Sequence, residues 1–135
     1  MKVTLLQTDI CWGDVPANIK QAEMLIDASE DSDLYVLPEM WSTGFATQPE
    51  ELAHDVNHNE ALQWMRSLTI KRKCAISGSL AVRLEDGSYR NRHYFVDGRN
   101  QQEVFYDKHH LFTYGGENRY YTAGQSHTII EYEGF

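Results

Sequence analysis

Two charged residues follow short apolar stretches, and their types suit acid-base chemistry. Glu39 lies close to Trp41 and Phe45, and a carboxylate in partly apolar surroundings can act as a general base. Lys108 ends the stretch 104–108 and could place a positive charge near an oxygen that becomes negative during a reaction. Considered singly, each residue has an ordinary alternative: Glu39 as a solvated loop acid and Lys108 as a solvated strand end.

Glu117 is a third candidate, because two glycines precede it in a turn that could hold an acid beside the lysine. The glycines lack the spacing and the following lysine of a phosphate-binding loop, so no nucleotide cofactor is predicted. His54 and His58 are four residues apart, but the segment resembles a loop and offers no third ligand. We therefore predict no metal site there.

The first part of the chain contains the elements that would place Glu39. Residues 2–10 are mostly apolar on both faces of a strand, which predicts an interior strand. Apolar residues at helical spacing predict a helix over 15–29, and 33–37 form a second strand that ends at a proline. A strand, a helix and a strand imply parallel pairing, and the loop 39–58 then begins at a sheet edge where sites are commonly built.

The remaining elements would place Lys108 and Glu117. An apolar stripe predicts a helix over 59–73, and three strands at 74–82, 89–96 and 102–107 are separated by two Asp-Gly pairs. This pattern predicts an antiparallel meander after the parallel part, hence an α/β fold with a mixed sheet. A last strand is predicted at 128–133.

Composition restricts the partners and the location. The chain has 135 residues, with 20 acidic and 12 basic side chains and a net charge of −8, which would repel nucleic acid and anionic membranes. It has no apolar stretch of about 18 residues and no signal-peptide pattern at its start. Two cysteines, Cys11 and Cys74, are too few for a disulfide framework. We expect a cytoplasmic protein with no internal repeat and no second domain.

Four segments together resemble the carbon-nitrogen hydrolase family, also called the nitrilase superfamily. They match in order and spacing, and they are 3–9 with 12–14 and Asn18, 37–40 with 43–45, 78–79, and YDKHHLF at 106–112. The last segment, with 116–118 and 121–124, is similar to the omega-amidase branch, which hydrolyses the terminal amide of 2-oxo acids such as 2-oxoglutaramate. Other aliphatic amides and N-carbamoyl compounds remain open.

The resemblance implies a catalytic set of glutamate, lysine and cysteine without a cofactor or metal. Glu39 matches the general base, Lys108 the group that stabilises the tetrahedral oxyanion, and Glu117 a supporting glutamate. The family's cysteine follows the lysine, and this sequence has no cysteine after Lys108. We interpret Cys11 and Cys74 as packing thiols rather than substitute nucleophiles.

The family fold implied by the resemblance is a four-layer α-β-β-α sandwich. We expect residues 1–135 to be an N-terminal portion of one such domain, lacking the nucleophile-bearing portion and inactive alone. The resemblance also implies a homo-oligomer that acts on a small amide.

A pocket for that small amide is predicted from aromatic residues and a histidine near the candidate site: Trp41, Phe45, His110 and Tyr114. The ordinary alternative is a core position for the aromatic residues and a structural role for the histidine. The alternative function, from a different class, is a non-catalytic remnant that binds a small ligand or a partner subunit through the same cleft.

Overall fold

The fold is described from a computed structural model that covers residues 1–135. It contains three helices and six strands, followed by two short 3-10 turns at Thr113–Gly115 and Glu117–Arg119. In chain order the elements are β1 (Val3–Leu5), α1 (Val15–Ala28), β2 (Leu34–Val36), α2 (Pro49–Leu52), β3 (His54–Asp55), α3 (Glu60–Arg72), β4 (Ala75–Arg83), β5 (Tyr89–Asp97) and β6 (Gln102–Asp107).

All six strands belong to one mixed sheet with the order β1-β2-β4-β5-β6. The pairs β1-β2 and β2-β4 are parallel, whereas β4-β5 and β5-β6 are antiparallel. The short β3 pairs in parallel with the far end of β4. The predicted parallel part and antiparallel meander are therefore confirmed, and the chain has an α/β fold of the expected mixed type.

The two long helices agree closely with the ranges predicted from apolar spacing, and their ends carry strong local signals. Asp14 accepts a hydrogen bond from the Ala17 N–H at the start of α1, and Asn59 accepts one from the Leu62 N–H at the start of α3. Lys73 has a φ of 53°, in the left-handed region, and ends α3. These end signals therefore coincide with the helix ranges that apolar spacing predicted.

The helices cover one face of the sheet and bury the main core there. Ile76 in β4 and Met65 in α3 are fully buried, and Ile26 joins them from α1. The other face carries the alternate residues of the strands, and Leu5 near its edge is 75% exposed. The chain thus contains one helix layer and one sheet layer. None of its helices is long and apolar enough to cross a membrane.

The first strand is shorter than predicted. It spans Val3–Leu5 instead of 2–10, because β2 leaves the sheet soon after Val36 and offers β1 only three paired residues. A strand needs a partner along its length, so an apolar run alone does not fix where it ends.

The predicted strand at 128–133 is wrong. Thr128 Oγ1 donates to the Phe105 carbonyl in β6, while the Tyr132 hydroxyl donates to the Asp33 carbonyl beside β2, at 3.0 and 2.8 Å. The segment therefore runs across the strands, and a crossing segment cannot form a ladder with them. The Tyr132 ring packs edge-on against Phe95, with 5.2 Å between ring centroids.

We predict that Ile76→Ala lowers the free energy of unfolding by about 2–5 kcal/mol, since it leaves a cavity in the closed core. Ile70→Ala is the matched control, because Ile70 is 61% exposed and its truncation should cost less than about 0.5 kcal/mol. Urea unfolding followed by circular dichroism measures both. Equal losses for the two variants would contradict the location of the core.

Candidate active site

Glu39 is placed by backbone and side-chain bonds just beyond β2. The Leu37 N–H still donates to the Ser77 carbonyl of β4, at 2.8 Å. Met40, the residue after Glu39, has a φ of 48° although it is not glycine, and its N–H donates to Ser79 Oγ at 2.9 Å. Such strained backbone is common at functional sites. These constraints fix where Glu39 leaves the sheet.

Lys108 reaches the same edge of the sheet from β6. Because β5 is antiparallel to both β4 and β6, the carboxyl end of β6 lies on the same side as the carboxyl end of β2. The Lys108 N–H donates to the Asn91 carbonyl at 2.9 Å, and its carbonyl accepts from the Gly124 N–H at 3.0 Å. Both backbone groups of Lys108 are thus satisfied.

Glu117 begins the second 3-10 turn and is held by its own loop. Gly116 has a φ of 78°, a conformation that favours glycine, and it reverses the chain directly before Glu117. The Phe112 N–H donates to Glu117 Oε2 at 2.6 Å, and the Tyr121 N–H donates to the Glu117 carbonyl at 2.9 Å. Gly116, the second of the two glycines noted in the sequence, therefore supplies the backbone conformation that precedes this acid.

The three predicted residues meet around one ammonium group. Lys108 Nζ donates to Glu39 Oε1 at 2.8 Å and to Glu117 Oε2 at 2.9 Å. The Asn91 side-chain amide also joins both acids, donating to Glu39 Oε1 at 2.7 Å and to Glu117 Oε1 at 2.9 Å. The structure therefore brings together Glu39, Lys108 and Glu117.

Asn91 was not predicted from the sequence, although it lies at the centre of this cluster. It is in β5 opposite Ala81 and is 3% exposed. The available signal was an asparagine inside a strand, where this residue type is depleted. The sequence could not indicate its hydrogen-bond partners, because Glu39 and Glu117 are both distant from Asn91 in the chain.

The cluster contains two carboxylates and one ammonium, so its formal charge is −1. Partial burial opposes the charge of Lys108, but its hydrogen bonds to Glu39 and Glu117 outweigh burial and raise the pKa of Lys108. Burial likewise opposes the charge of Glu117, but bonds from the Phe112 N–H, Asn91 and Lys108 lower the pKa of Glu117. Both groups are therefore held in their charged forms.

An open cleft of about 320 Å³ borders the cluster. His93 is in its wall, and burial lowers the pKa of His93 although the charge of Glu39 opposes this. The His93 Nε2 lies 2.6 Å from Ser77 Oγ. The lining residues are Leu37, Pro38, Glu39, Ser79, Asn91, His93, Tyr106 and Lys108.

The four residues predicted to form a substrate pocket do not line this cleft. Trp41 is a core residue, 1% exposed, because its ring packs against Trp64 with 5.1 Å between centroids. Phe45 lines a separate, mostly apolar cavity of about 180 Å³ that also borders Glu117. His110 is exposed and Tyr114 is 95% exposed, so both point to solvent.

Neither cysteine lines the cleft. Cys11 is exposed, so its assignment as a packing thiol is wrong, since the residues after β1 leave the sheet. Cys74 is buried, and burial raises the pKa of its thiol to about 11. It precedes β4 by one residue, whereas Ser79 in the cleft lies five residues further on, roughly 16 Å along an extended strand.

The arrangement supplies two of the groups that an acyl-transfer reaction needs. Glu39 has a side chain that is 41% exposed and can exchange a proton at the cleft, whereas Glu117, at 9%, is enclosed. Lys108 supplies a fixed positive charge for an oxygen that becomes negative. These are the roles of a base and an oxyanion-stabilising group.

Comparison with known proteins decides the family. The family described as carbon-nitrogen hydrolase matches residues 2–133. The chain belongs to the carbon-nitrogen hydrolase family. Its resemblance at the four sequence segments is thereby confirmed.

This carbon-nitrogen hydrolase chain is similar along its length to curated relatives. It is 36% identical over 137 residues to an "Omega-amidase YafV" of Yersinia enterocolitica, covering 100% of this chain and 51% of the relative. It is also 36% identical over 135 residues to a "2-oxoglutaramate amidase" of Bacillus subtilis, covering 98% of this chain and 51% of the relative. The chain spans about half the length of these relatives.

A solved structure agrees with the family fold. A CN-hydrolase superfamily protein from Xanthomonas campestris, which has an arsenic adduct in its active site, superposes with a TM-score of 0.90 at 29% identity. The match covers 99% of this chain and 50% of that protein. A nitrilase superfamily member from Saccharomyces cerevisiae superposes with a TM-score of 0.83 at 22% identity, covering 98% of this chain and 52% of its own, which shows the fold alone.

We predict that Glu117→Gln weakens the acid dependence of stability. The folded-state pKa of Glu117 lies below its ordinary value of 4.5, so its ionised form stabilises the fold above that pH. This contribution is lost as the pH falls through the folded-state pKa. In wild type the free energy of unfolding should therefore drop more between pH 7 and pH 3 than in Glu117→Gln.

Urea unfolding at several pH values measures this difference, and Glu131→Gln is the control because Glu131 is exposed. At pH 7 the Glu117 variant should be less stable by about 1.5–3 kcal/mol, the range for hydrogen bonds to charged groups. The same acid dependence in Glu117→Gln as in wild type would argue against the described contacts.

Proposed function

We propose that the protein containing this chain hydrolyses the C–N bond of a small, carboxylate-bearing amide and releases ammonia. The observation that carries this proposal is the Lys108 ammonium placed between two glutamates, one of which, Glu39, is open to the cleft. The relatives named omega-amidase and 2-oxoglutaramate amidase support this substrate class. A cleft of about 320 Å³ is at the small end for ligand sites and suits a small substrate.

In the proposed reaction Glu39 takes the proton of a cysteine thiol, and the thiolate attacks the amide carbonyl carbon. The ammonium of Lys108 balances the negative charge that forms on the carbonyl oxygen. The proton then passes from Glu39 to the departing nitrogen, ammonia leaves, and a thioester remains. Water, activated by Glu39, hydrolyses the thioester and restores the thiol.

We assign the thiol to the part of the protein that corresponds to the second half of these relatives. Cys11 and Cys74 do not line the cleft, and the buried thiol of Cys74 is disfavoured as a thiolate because its pKa is raised. Under this proposal residues 1–135 alone do not turn over. A homo-oligomer and a cytoplasmic location stay predictions.

The charge of the cluster indicates how the substrate lies. The cluster has a formal charge of −1, so it repels the carboxylate group of the substrate. The amide end of the substrate should therefore face Lys108, and its carboxylate should bind further away.

We predict that a joined enzyme, residues 1–135 fused to the second half of the Yersinia enterocolitica relative, releases ammonia from 2-oxoglutaramate. Glu39→Gln should lower kcat by about 10²–10⁴, the usual effect of losing a general base. Lys108→Ala should lower it by about 10²–10³, as for loss of one oxyanion-stabilising donor. Ammonia release at pH 7 measures each rate.

Glu60→Gln and Lys71→Ala are matched controls, because both residues are exposed on α3 and should leave kcat unchanged. Wild-type turnover in the Glu39 and Lys108 variants would contradict the proposed roles. Binding of the amide by a folded joined enzyme without any turnover would favour the non-catalytic binding protein instead.

A further inference from the structure

The two glutamates of the cluster differ in how their oxygens are used. Glu117 has both oxygens occupied: Oε1 accepts from Asn91, and Oε2 accepts from Lys108 and from the Phe112 N–H. Glu39 has only Oε1 occupied, by Lys108 and Asn91 together. No donor of the chain binds Glu39 Oε2, and the side chain is 41% exposed. One carboxylate oxygen of the four therefore has no partner in the chain.

We propose that Asn91 is a positioning residue that gives the two glutamates different tasks, by binding Oε1 of each and leaving Oε2 of Glu39 to accept the proton. This inference rests on the proposed function and deepens it. Glu117 is thereby confined to holding Lys108, while Glu39 remains the base.

The chemistry of the amide group supports this assignment. The NH₂ group of asparagine has two hydrogens and donates both here, one to each acid. A carboxyl oxygen that faces an N–H must offer a lone pair, so a proton on either Oε1 is disfavoured. Glu39 and Glu117 share a single lysine, and the Asn91 amide stabilises both carboxylates by hydrogen bonds without changing the charge of the cluster.

The position of Asn91 supplies the rigidity that this task needs. β5 lies between β4 and β6 and is bonded on both sides, so its backbone is fixed along the strand. The Asn91 carbonyl also accepts the Lys108 N–H, at 2.9 Å. One residue of a central strand thus contacts Lys108 and both acids.

The first test is a titration of the Glu117 side-chain carboxyl carbon by NMR in the 135-residue chain. Asn91→Ala removes a donor and should move the midpoint of Glu117 to higher pH. Asn91→Asp keeps the size but replaces the donor with a third acid, so the midpoint should rise at least as far. Asn57→Ala is the matched control, since Asn57 Nδ2 donates to Glu85 Oε1 at 3.0 Å on the surface, and it should leave Glu117 unchanged.

An unchanged Glu117 midpoint in the folded Asn91 variants would overturn the proposal. Loss of the folded spectrum in both Asn91→Ala and Asn91→Asp would also overturn it, because Asn91 would then be needed for the fold rather than for positioning. If Asn91→Ala alone unfolds, the similarly sized Asn91→Asp decides the matter.

The second test uses the joined enzyme and the pH dependence of its rate. Asn91→Ala should lower kcat by about 10- to 100-fold, the effect of losing one or two charge-assisted hydrogen bonds, with little change in KM. The acid limb of kcat/KM should move to higher pH, and Asn91→Asp should be at least as impaired. A packing role predicts the reverse order, with the aspartate nearly normal, and that order would overturn the proposal.

The two proposals can fail separately. If a folded joined enzyme shows no turnover, the proposed function fails, and the titration of Glu117 in the chain still decides whether Asn91 holds the acids. If turnover is found and the Asn91 variants match wild type in rate and pH profile, only the inference about Asn91 fails.

Discussion

The ammonium of Lys108 lies between carboxylates from residues 39 and 117, and much of the surrounding structure serves to hold these three groups in contact. Two acids close together repel each other, and a single lysine cannot cancel both charges. The remaining support comes from neutral donors, the Asn91 amide and the Phe112 N–H. Hydrogen bonds to charged groups are stronger than neutral ones, so these donors favour the ionised acids.

The sheet makes this meeting possible through its mixed direction. Glu39 follows β2, which is parallel to β4. Lys108 follows β6, which is connected to β4 through β5 by two hairpin turns and therefore runs in the same direction as β4. Both strands therefore end at one edge, and β5 presents Asn91 to the same place. A slip of one residue in β5 would turn Asn91 to the helix-covered face and leave both acids without their shared donor.

The two faces of the sheet have different chemistry. The face covered by α1 and α3 buries large apolar residues, and it provides most of the core. The opposite face carries Ser79, His93 and Tyr106 beside the cleft, while residues 128–132 cross its other end. The helix-covered face thus provides the packing that stabilises the sheet, and the reactive groups lie on the opposite face, which is open at the cleft.

The sequence by itself determined the elements with strong local signals. Apolar spacing located α1 and α3, whose first turns are capped by Asp14 and Asn59, and the Asp-Gly pairs marked the turns of the antiparallel meander. The family segments also indicated Glu39, Lys108 and Glu117 before any contact was known. These signals depend only on residues that are close in the chain or on a resemblance of whole segments.

Only the tertiary structure decided which of these groups touch and what surrounds them. Asn91 is separated from Glu39 by 52 positions and from Glu117 by 26, so no local pattern could reveal its bonds. Trp41 is an aromatic residue close to Glu39 in the sequence and would suit a substrate pocket, yet packing against Trp64 places it in the core. The apolar residues near 130 suit a strand, but they cross the sheet instead. The burial of a side chain and the identity of its hydrogen-bond partners are properties of the folded chain, because both depend on residues that are far apart in the sequence.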